Sequence, residues 1–352
     1  MKKIIIFILI CISTQCDNKH EYKKFKNFSR TISLNSKSYE NQIKISNIVG
    51  IIDSIIVVKT GLDEYQYKLL NKNNFSFITQ TGKKGKGPKE LIGTINGNLD
   101  TINNYMYCAS RSKLKIFRFD IDSLLKSNNY LPAIHTEIPE EFSHVSKINV
   151  INDSVVLGAG LTAYNIHIID KEKNTLEKFA RLPEKPKNIK SIHHSNLYNN
   201  IMSYNPKNKL IAMGYIKFDT LSGYDIKGKE IFQTVGPDFI QSDYKTQYKI
   251  KSKNAFKSIR TDNKNIYALY SGKHKIEKLS DANNLTDAKV IQPNTIHVFD
   301  WQGNPKLKIK LDKSINDFVI DKETNRLIGI SSDDQSFVVY DFSKIRKALE
   351  HL

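Results

Sequence analysis

The stretch TIHVFDWQGNPKLKIKLDKSINDFVIDKETNRLIGISSDDQSFVVYD, Thr295 to Asp341, decides the fold. Ile296, Val298 and Phe299 form a short β-branched and aromatic run that ends at Asp300. Gln302-Gly303-Asn304-Pro305 must then turn, because Gly tolerates a positive φ and Pro removes a ladder donor. Leu307, Ile309 and Leu311 alternate with Lys306, Lys308 and Lys310, the period-two pattern of an outer, half-exposed strand. Phe318-Val319-Ile320 and Leu327-Ile328-Gly329-Ile330 are continuous apolar runs across a polar turn, as expected of inner strands buried on both faces. After Ser332-Asp333-Asp334, Phe337 to Asp341 repeats the pattern of His297 to Asp300, so the unit has closed on itself.

The same unit recurs upstream. Apolar runs begin at Ile55, Tyr105, Val155, Leu210, Ile266 and Leu327, each after a polar turn and about 50 to 60 residues apart. That spacing suits a four-stranded propeller blade with its loops and exceeds what a helical repeat needs. The following aromatic-rich runs, among them Asn165 to Asp170, Thr220 to Asp225 and Thr295 to Asp300, end in Asp, which is expected to cap the turn to the outer strand. The predicted fold is therefore all-β, a six-bladed β-propeller of four-stranded antiparallel blades, over residues 28–352. Phe28 to Leu34 is expected to add the outer strand of the last blade, and Phe342 to Leu352 to form a short helix with Ser343 as N-cap.

The N-terminal residues read differently. Lys2-Lys3 precede the apolar segment Ile4 to Ile12, too short to span a bilayer, and Ser13-Thr14-Gln15-Cys16 follows. Residues 1–15 are read as a lipoprotein signal peptide, Cys16 as the lipid attachment site and residues 16–27 as a tether, although Gln15 departs from the small residue usual before that Cys. A protein so anchored faces the periplasm or lies on the cell surface of the envelope, held to the membrane through Cys16. With Cys11 in the signal and Cys16 acylated, Cys108 is left alone in an apolar run, so no intramolecular disulfide is possible there. The formal charge of +18 comes from lysines scattered along the chain, with compact runs only at Lys83-Lys84-Lys86, Lys185-Lys187-Lys190 and Lys249-Lys251-Lys253-Lys257. For an exported protein this favours a solvated charge and a protein or glycan partner over nucleic acid.

No catalytic pattern stands out. Gly82 to Pro88 resembles a phosphate cradle, but Pro88-Lys89 stands where a P-loop needs Lys-Ser/Thr; a tight inter-blade turn is the preferred reading, with Lys83, Lys84 and Lys86 kept behind it as a candidate anion-binding loop. His193-His194 lacks neighbouring ligands at zinc spacing, and Asp333-Asp334 and Asp281-Asn284-Asp287 do not follow a calcium-loop pattern. No catalytic residue and no cofactor is assigned, while a channel metal such as calcium stays open. Two segments exceed the blade template, Leu182 to Ser195 and Lys273 to Asn294, and are candidate partner surfaces.

Thr79-Gln80-Thr81-Gly82-Lys83-Lys84-Gly85-Lys86-Gly87-Pro88-Lys89-Glu90-Leu91, with Ile296 to Pro305 and Leu311-Asp312, resembles the TolB-like six-bladed β-propeller lipoproteins of Gram-negative bacteria. Lys89 and Leu91 depart from the Gly and the aromatic residue of that group's motif. The resemblance implies the propeller fold over the mature chain and says little about activity. The expectation is an envelope binding or scaffold module; the alternative is a metal-dependent hydrolase or lyase with its site at the propeller channel.

Overall fold

The computed structural model describes residues 22–127, 130–160, 162–183, 190–237, 239, 253–274, 276–278, 288–290 and 292–352. Among the described residues six sheets form one blade each and follow each other in chain order, with the first strand of each innermost, and a seventh pairs Ile276–Lys278 with Ala288–Val290. Blade 1 is Ile45–Ile52, Ile55–Thr60, Tyr65–Asn71 and Phe77–Lys83. Blade 2 has a split inner strand, Thr94–Ile95 and Leu99–Asp100, then Tyr105–Ser110, Lys115–Asp120 and Ala133–Glu137. Blade 3 is Lys147–Val150, Val155–Ala159, Tyr164–Asp170 and Thr175–Arg181; blade 4 is Asn200–Asn205, Leu210–Tyr215, Thr220–Asp225 and Glu230–Val235. Blade 5 is Lys253–Thr261, Asn265–His274, Thr295–Asp300 and Pro305–Leu311; blade 6 begins with Ile315–Asp321, Arg326–Ser331 and Phe337–Asp341.

The apolar runs of the repeat are the second strands, and they are buried on both faces: Ile56, Val57 and Val58 in blade 1 and Leu327, Ile328 and Ile330 in blade 6 are fully enclosed. Neighbouring blades share their cores. Ile45, Ile56 and Val58 of blade 1 pack with Ile328, Ile330 and Phe337 of blade 6, and Phe75 stacks on Phe337 at 4.2 Å between ring centres. The predicted Asp caps are present: Asp170 accepts from the Lys173 amide, Asp225 from Lys227 and Lys229, and Asp300 from Gln302 and Asn304. At Gly303 (φ +76°) the turn lies so close to blade 4 that an added Cβ would sit 2.4 Å from the Phe232 ring and the Thr234 hydroxyl. A side chain there would both strain the backbone and push blades 4 and 5 apart.

Ring closure differs from the expectation. The fourth strand of blade 6 is Lys37–Tyr39, antiparallel to Phe337–Asp341, and not the segment Phe28 to Leu34. Arg30–Leu34 instead runs parallel to Pro305–Leu311 as a fifth strand of blade 5, with Leu34 packed on Leu307, Ile309 and Leu311. Upstream of it, Lys23–Lys24 pairs parallel with Thr234 and Val235 of blade 4, and Phe25 is buried, so residues counted as tether already lie on the ring. One continuous strap thus crosses the outer edges of blades 4, 5 and 6. Alternation placed an edge strand here but could not name its blade, since period two reads alike in parallel and antiparallel pairs.

The C-terminal helix is Phe342–Glu350, capped by Asp341 rather than Ser343; the Asp341 carboxylate accepts from the Ser343 amide and hydroxyl. Its Phe342, Ile345 and Ala348 are buried against blades 5 and 6.

Candidate functional site

The innermost strands of all six blades line one cavity of about 400 Å³ on the ring axis. That volume suits a small polar ligand. Ser46 and Asn47 come from blade 1, Asn96 and Gly97 from blade 2, Ser146 and Lys147 from blade 3, and Asn199 and Asn200 from blade 4. Blade 5 supplies Lys257, Ser258 and Arg260, and blade 6 supplies Asn316 and Asp317.

A regular strand would turn only alternate residues to the axis. Here the ladders are interrupted: pairing shifts register between Phe256 and Ser258, between Ile315 and Phe318, and twice between Ile45 and Gly50. Such irregularities let adjacent residues, Lys257 with Ser258 and Asn316 with Asp317, both reach the cavity. In blade 2 the strand is broken at Gly97, where an added Cβ would lie 1.8 Å from the Tyr107 carbonyl oxygen. Only glycine permits that approach.

Asp317 is the ionic centre of the wall. Its carboxylate accepts from the Ile48 amide (2.9 Å), the Ser258 hydroxyl (2.5 Å), the Phe318 amide (2.8 Å) and the Arg260 guanidinium (3.1 Å). Arg260 also donates to the carbonyls of Phe318 and Ile48, both at 2.7 Å, so this pair joins blades 5, 6 and 1. The acceptor capacity of Asp317 is therefore consumed by the protein.

The lysines differ. Lys147 donates to the Met202 carbonyl at 2.9 Å, and burial pushes its ammonium down to about 8, with Arg260 adding to the fall and Asp317 opposing it. Lys257 donates to the Asn316 amide oxygen at 2.8 Å and to Gln292; burial brings it to about 8 as well, against the pull of Asp317. Behind the wall, Lys59 holds the Asn96 amide oxygen at 2.7 Å, and burial lowers its pKa too. Lys147, Lys257 and Arg260 against the one carboxylate of Asp317 leave the cavity wall with a net charge of +2 when all are ionised.

The residues singled out in the sequence lie elsewhere. Cys16 and residues 1–15 fall outside the described residues, as do Asp281, Asn284 and Asp287 of the long polar insertion and much of the segment Leu182 to Ser195. Lys83 and Lys84 are on the rim of blade 1. Lys83 approaches Glu64 (3.6 Å) and Glu90 (3.9 Å), and Lys84 donates to the Gly61 carbonyl at 2.8 Å. Lys86 lies in the same loop, where the Gly87 amide donates to the Glu90 carboxylate at 2.8 Å. A carboxylate of the chain itself thus sits among these glycines. His194 contacts the Pro183 carbonyl at 2.9 Å; Asp334 caps its own turn through Ser336 and is held down to about 2 by hydroxyls of Ser331 and Ser336. Cys108 is buried, which drives its thiol up to about 12. Among the described residues no three or more His, Cys, Asp or Glu side chains gather as a metal site. The channel set escapes a sequence reading because its members are scattered over six blades and, in blades 1, 5 and 6, placed by irregular pairing. Its one signal was Lys257, which the sequence offered only as the end of a basic run.

Six antiparallel blades closed around one axial cavity define a β-propeller. The chain belongs to the TolB-like six-bladed propeller family, whose model ("TolB-like 6-blade propeller-like") matches residues 20–323. No curated protein matches the sequence. Among solved structures, a Bacteroides fragilis NCTC 9343 protein described as exported shares 12% identity, with 91% of this chain and 99% of that one covered at a TM-score of 0.56. A DUF4221-family member from Bacteroides vulgatus ATCC 8482 shares 11% identity, with 88% and 92% covered at 0.53. The RRP9 WD40 repeats share 8% identity, with 87% and 97% covered at 0.54. At these identities the likeness is one of fold.

Proposed function

We propose that this protein is exported, anchored through a lipid on Cys16, and acts in the cell envelope as a binding module whose ligand enters the axial channel. The observation that carries the reading is the convergence of polar side chains from all six inner strands on one cavity of about 400 Å³. A propeller core needs no such set: the faces between blades are apolar, as in the Ile56, Val58, Ile328 and Phe337 cluster. Polar side chains held at an axis by six separate strands make a preformed site at little ordering cost. Binding is favoured over turnover because the one carboxylate lining the cavity, Asp317, is engaged with Arg260 in joining blades. The anchor reading is supported by Lys2-Lys3, the apolar run Ile4 to Ile12 and Cys16.

Two measurements test it. Cells fed a labelled fatty acid should label the wild type and not Cys16→Ser; label retained by the variant refutes the attachment site. Native mass spectrometry of protein purified from envelopes should detect a small molecule on the wild type that Ser146→Trp, which fills the channel, does not carry. Equal loading of both proteins refutes the channel.

A further inference from the structure

The channel wall offers hydrogen-bond donors and positive charge to whatever enters it, and this follows from how its members use one another. Asp317 already accepts from four groups of the protein. Asn316 and Asn96 each give their amide oxygen to a lysine, Lys257 and Lys59, which turns their NH2 groups into the free ends of the side chains. Lys147 uses one of its three N–H bonds on the Met202 carbonyl, and Lys257 uses two, on Asn316 and Gln292. What remains for a ligand is two ammonium groups and two amide NH2 groups from four blades, with no uncommitted carboxylate among the residues that line the cavity.

Burial makes this arrangement costly without a counter-charge. Desolvation is the largest influence on both lysines and pushes both ammonium groups down to about 8. An anion between them would restore what burial removed. The volume, about 400 Å³, leaves room for more than a bare ion, and the half-buried Asn47 and Ser146 on the same wall can meet hydroxyls.

We infer that the channel binds a small hydroxylated anion, a sugar-sized molecule bearing a carboxylate or phosphate, with Lys147 and Lys257 on its charge and Asn96 and Asn316 donating beside them. This rests on the channel being the ligand site, as proposed above.

The test is calorimetric titration of the purified full chain with glucuronate, glucose and inorganic phosphate. Glucuronate should bind and glucose, the same ring without the charge, should bind at least tenfold more weakly; phosphate binding alone would assign the charge to a phosphoryl group. Lys147→Met and Lys257→Met should each weaken the binding anion at least tenfold, Lys147→Arg should recover some of the loss, and the Lys83→Gln, Lys84→Gln, Lys86→Gln triple variant should bind as wild type. Affinity should fall as pH rises from 7 to 9. Glucose binding as tightly as glucuronate, or anion binding unaltered in both methionine variants, overturns the inference. If no anion binds while the Ser146→Trp variant still loses its envelope-derived molecule, the inference fails and the channel reading stands; if that variant loses nothing, both fail.

Discussion

Two groups of lysines in this molecule are opposites. Lys83, Lys84 and Lys86 are crowded into four residues, while Lys147 and Lys257 are over a hundred residues apart in the chain. The crowded group lies on the rim, with Lys83 about half exposed and facing Glu64 and Glu90, and the Glu90 carboxylate bonded to the Gly87 amide. The scattered pair is largely buried around a shared cavity whose one carboxylate is already engaged. Linear density of charge is thus a poor guide to a charged site. What matters is burial without a free counter-charge, which only the ring closure creates.

The contrast between wall and rim should be largest at Asp317. If the channel wall depends on this carboxylate, Asp317→Ala leaves Arg260 without its counter-ion and the Ile48 amide without its acceptor. Loss of one partner of a buried pair costs about 3–5 kcal/mol, and urea denaturation should show a fall of that size. A fall below about 1 kcal/mol would place the pair with ordinary surface bridges.

The second test uses pH. In the unfolded chain Lys147 and Lys257 keep their protons up to about 10.5, whereas in the fold they lose them near 8. Between those values the unfolded state holds more protons, so these groups make the ligand-free protein more stable as pH rises from 8 towards 10.5. The difference in stability between wild type and the Lys147→Met, Lys257→Met double variant should move in favour of wild type across that window. A constant difference would show that the lysines are solvated like those of the rim.

The rim supplies the smallest effects. Glu90→Gln, which keeps an oxygen acceptor for the Gly87 amide and loses its charge, should cost about 1 kcal/mol, the difference between a charged and a neutral hydrogen bond. Replacing Lys83, Lys84 and Lys86 by Gln should change stability by less than about 0.5 kcal/mol each. Retention on a heparin column lost by the triple variant would restore the rim as an anion-binding surface; unchanged retention would remove it.

Much of the ring was legible because burial on both faces writes itself into composition. Ile55 to Val58 and Leu327 to Ile330 have few alternatives to a central strand, and Asp300 with Gly303 marks a tight turn. Blade pairing at the edge was less legible. Arg30 to Leu34 alternates as an outer strand should, yet nothing in its residues says that it lies parallel on blade 5 while Lys37 to Tyr39 completes blade 6. The channel was the least legible region. Its inner strands depart from period two at Lys257-Ser258 and Asn316-Asp317, and a pattern read from alternation discards those positions. Within the lysine run ending at Lys257, nothing in the sequence singles out Lys257, which lines the cavity.

The N-terminal strap has a mechanical consequence. Lys23–Lys24, Arg30–Leu34 and Lys37–Tyr39 grip three successive blades, so tension drawn on the chain before Tyr22 reaches these grips in series rather than together. The first is two residues long and peels earliest; the last also closes the ring. Releasing the first two clasps, up to Ser36, frees 14 residues, about 48 Å of slack at ~3.4 Å each. The ring's own closure thereby lies behind two other clasps, which must yield before the pull reaches it.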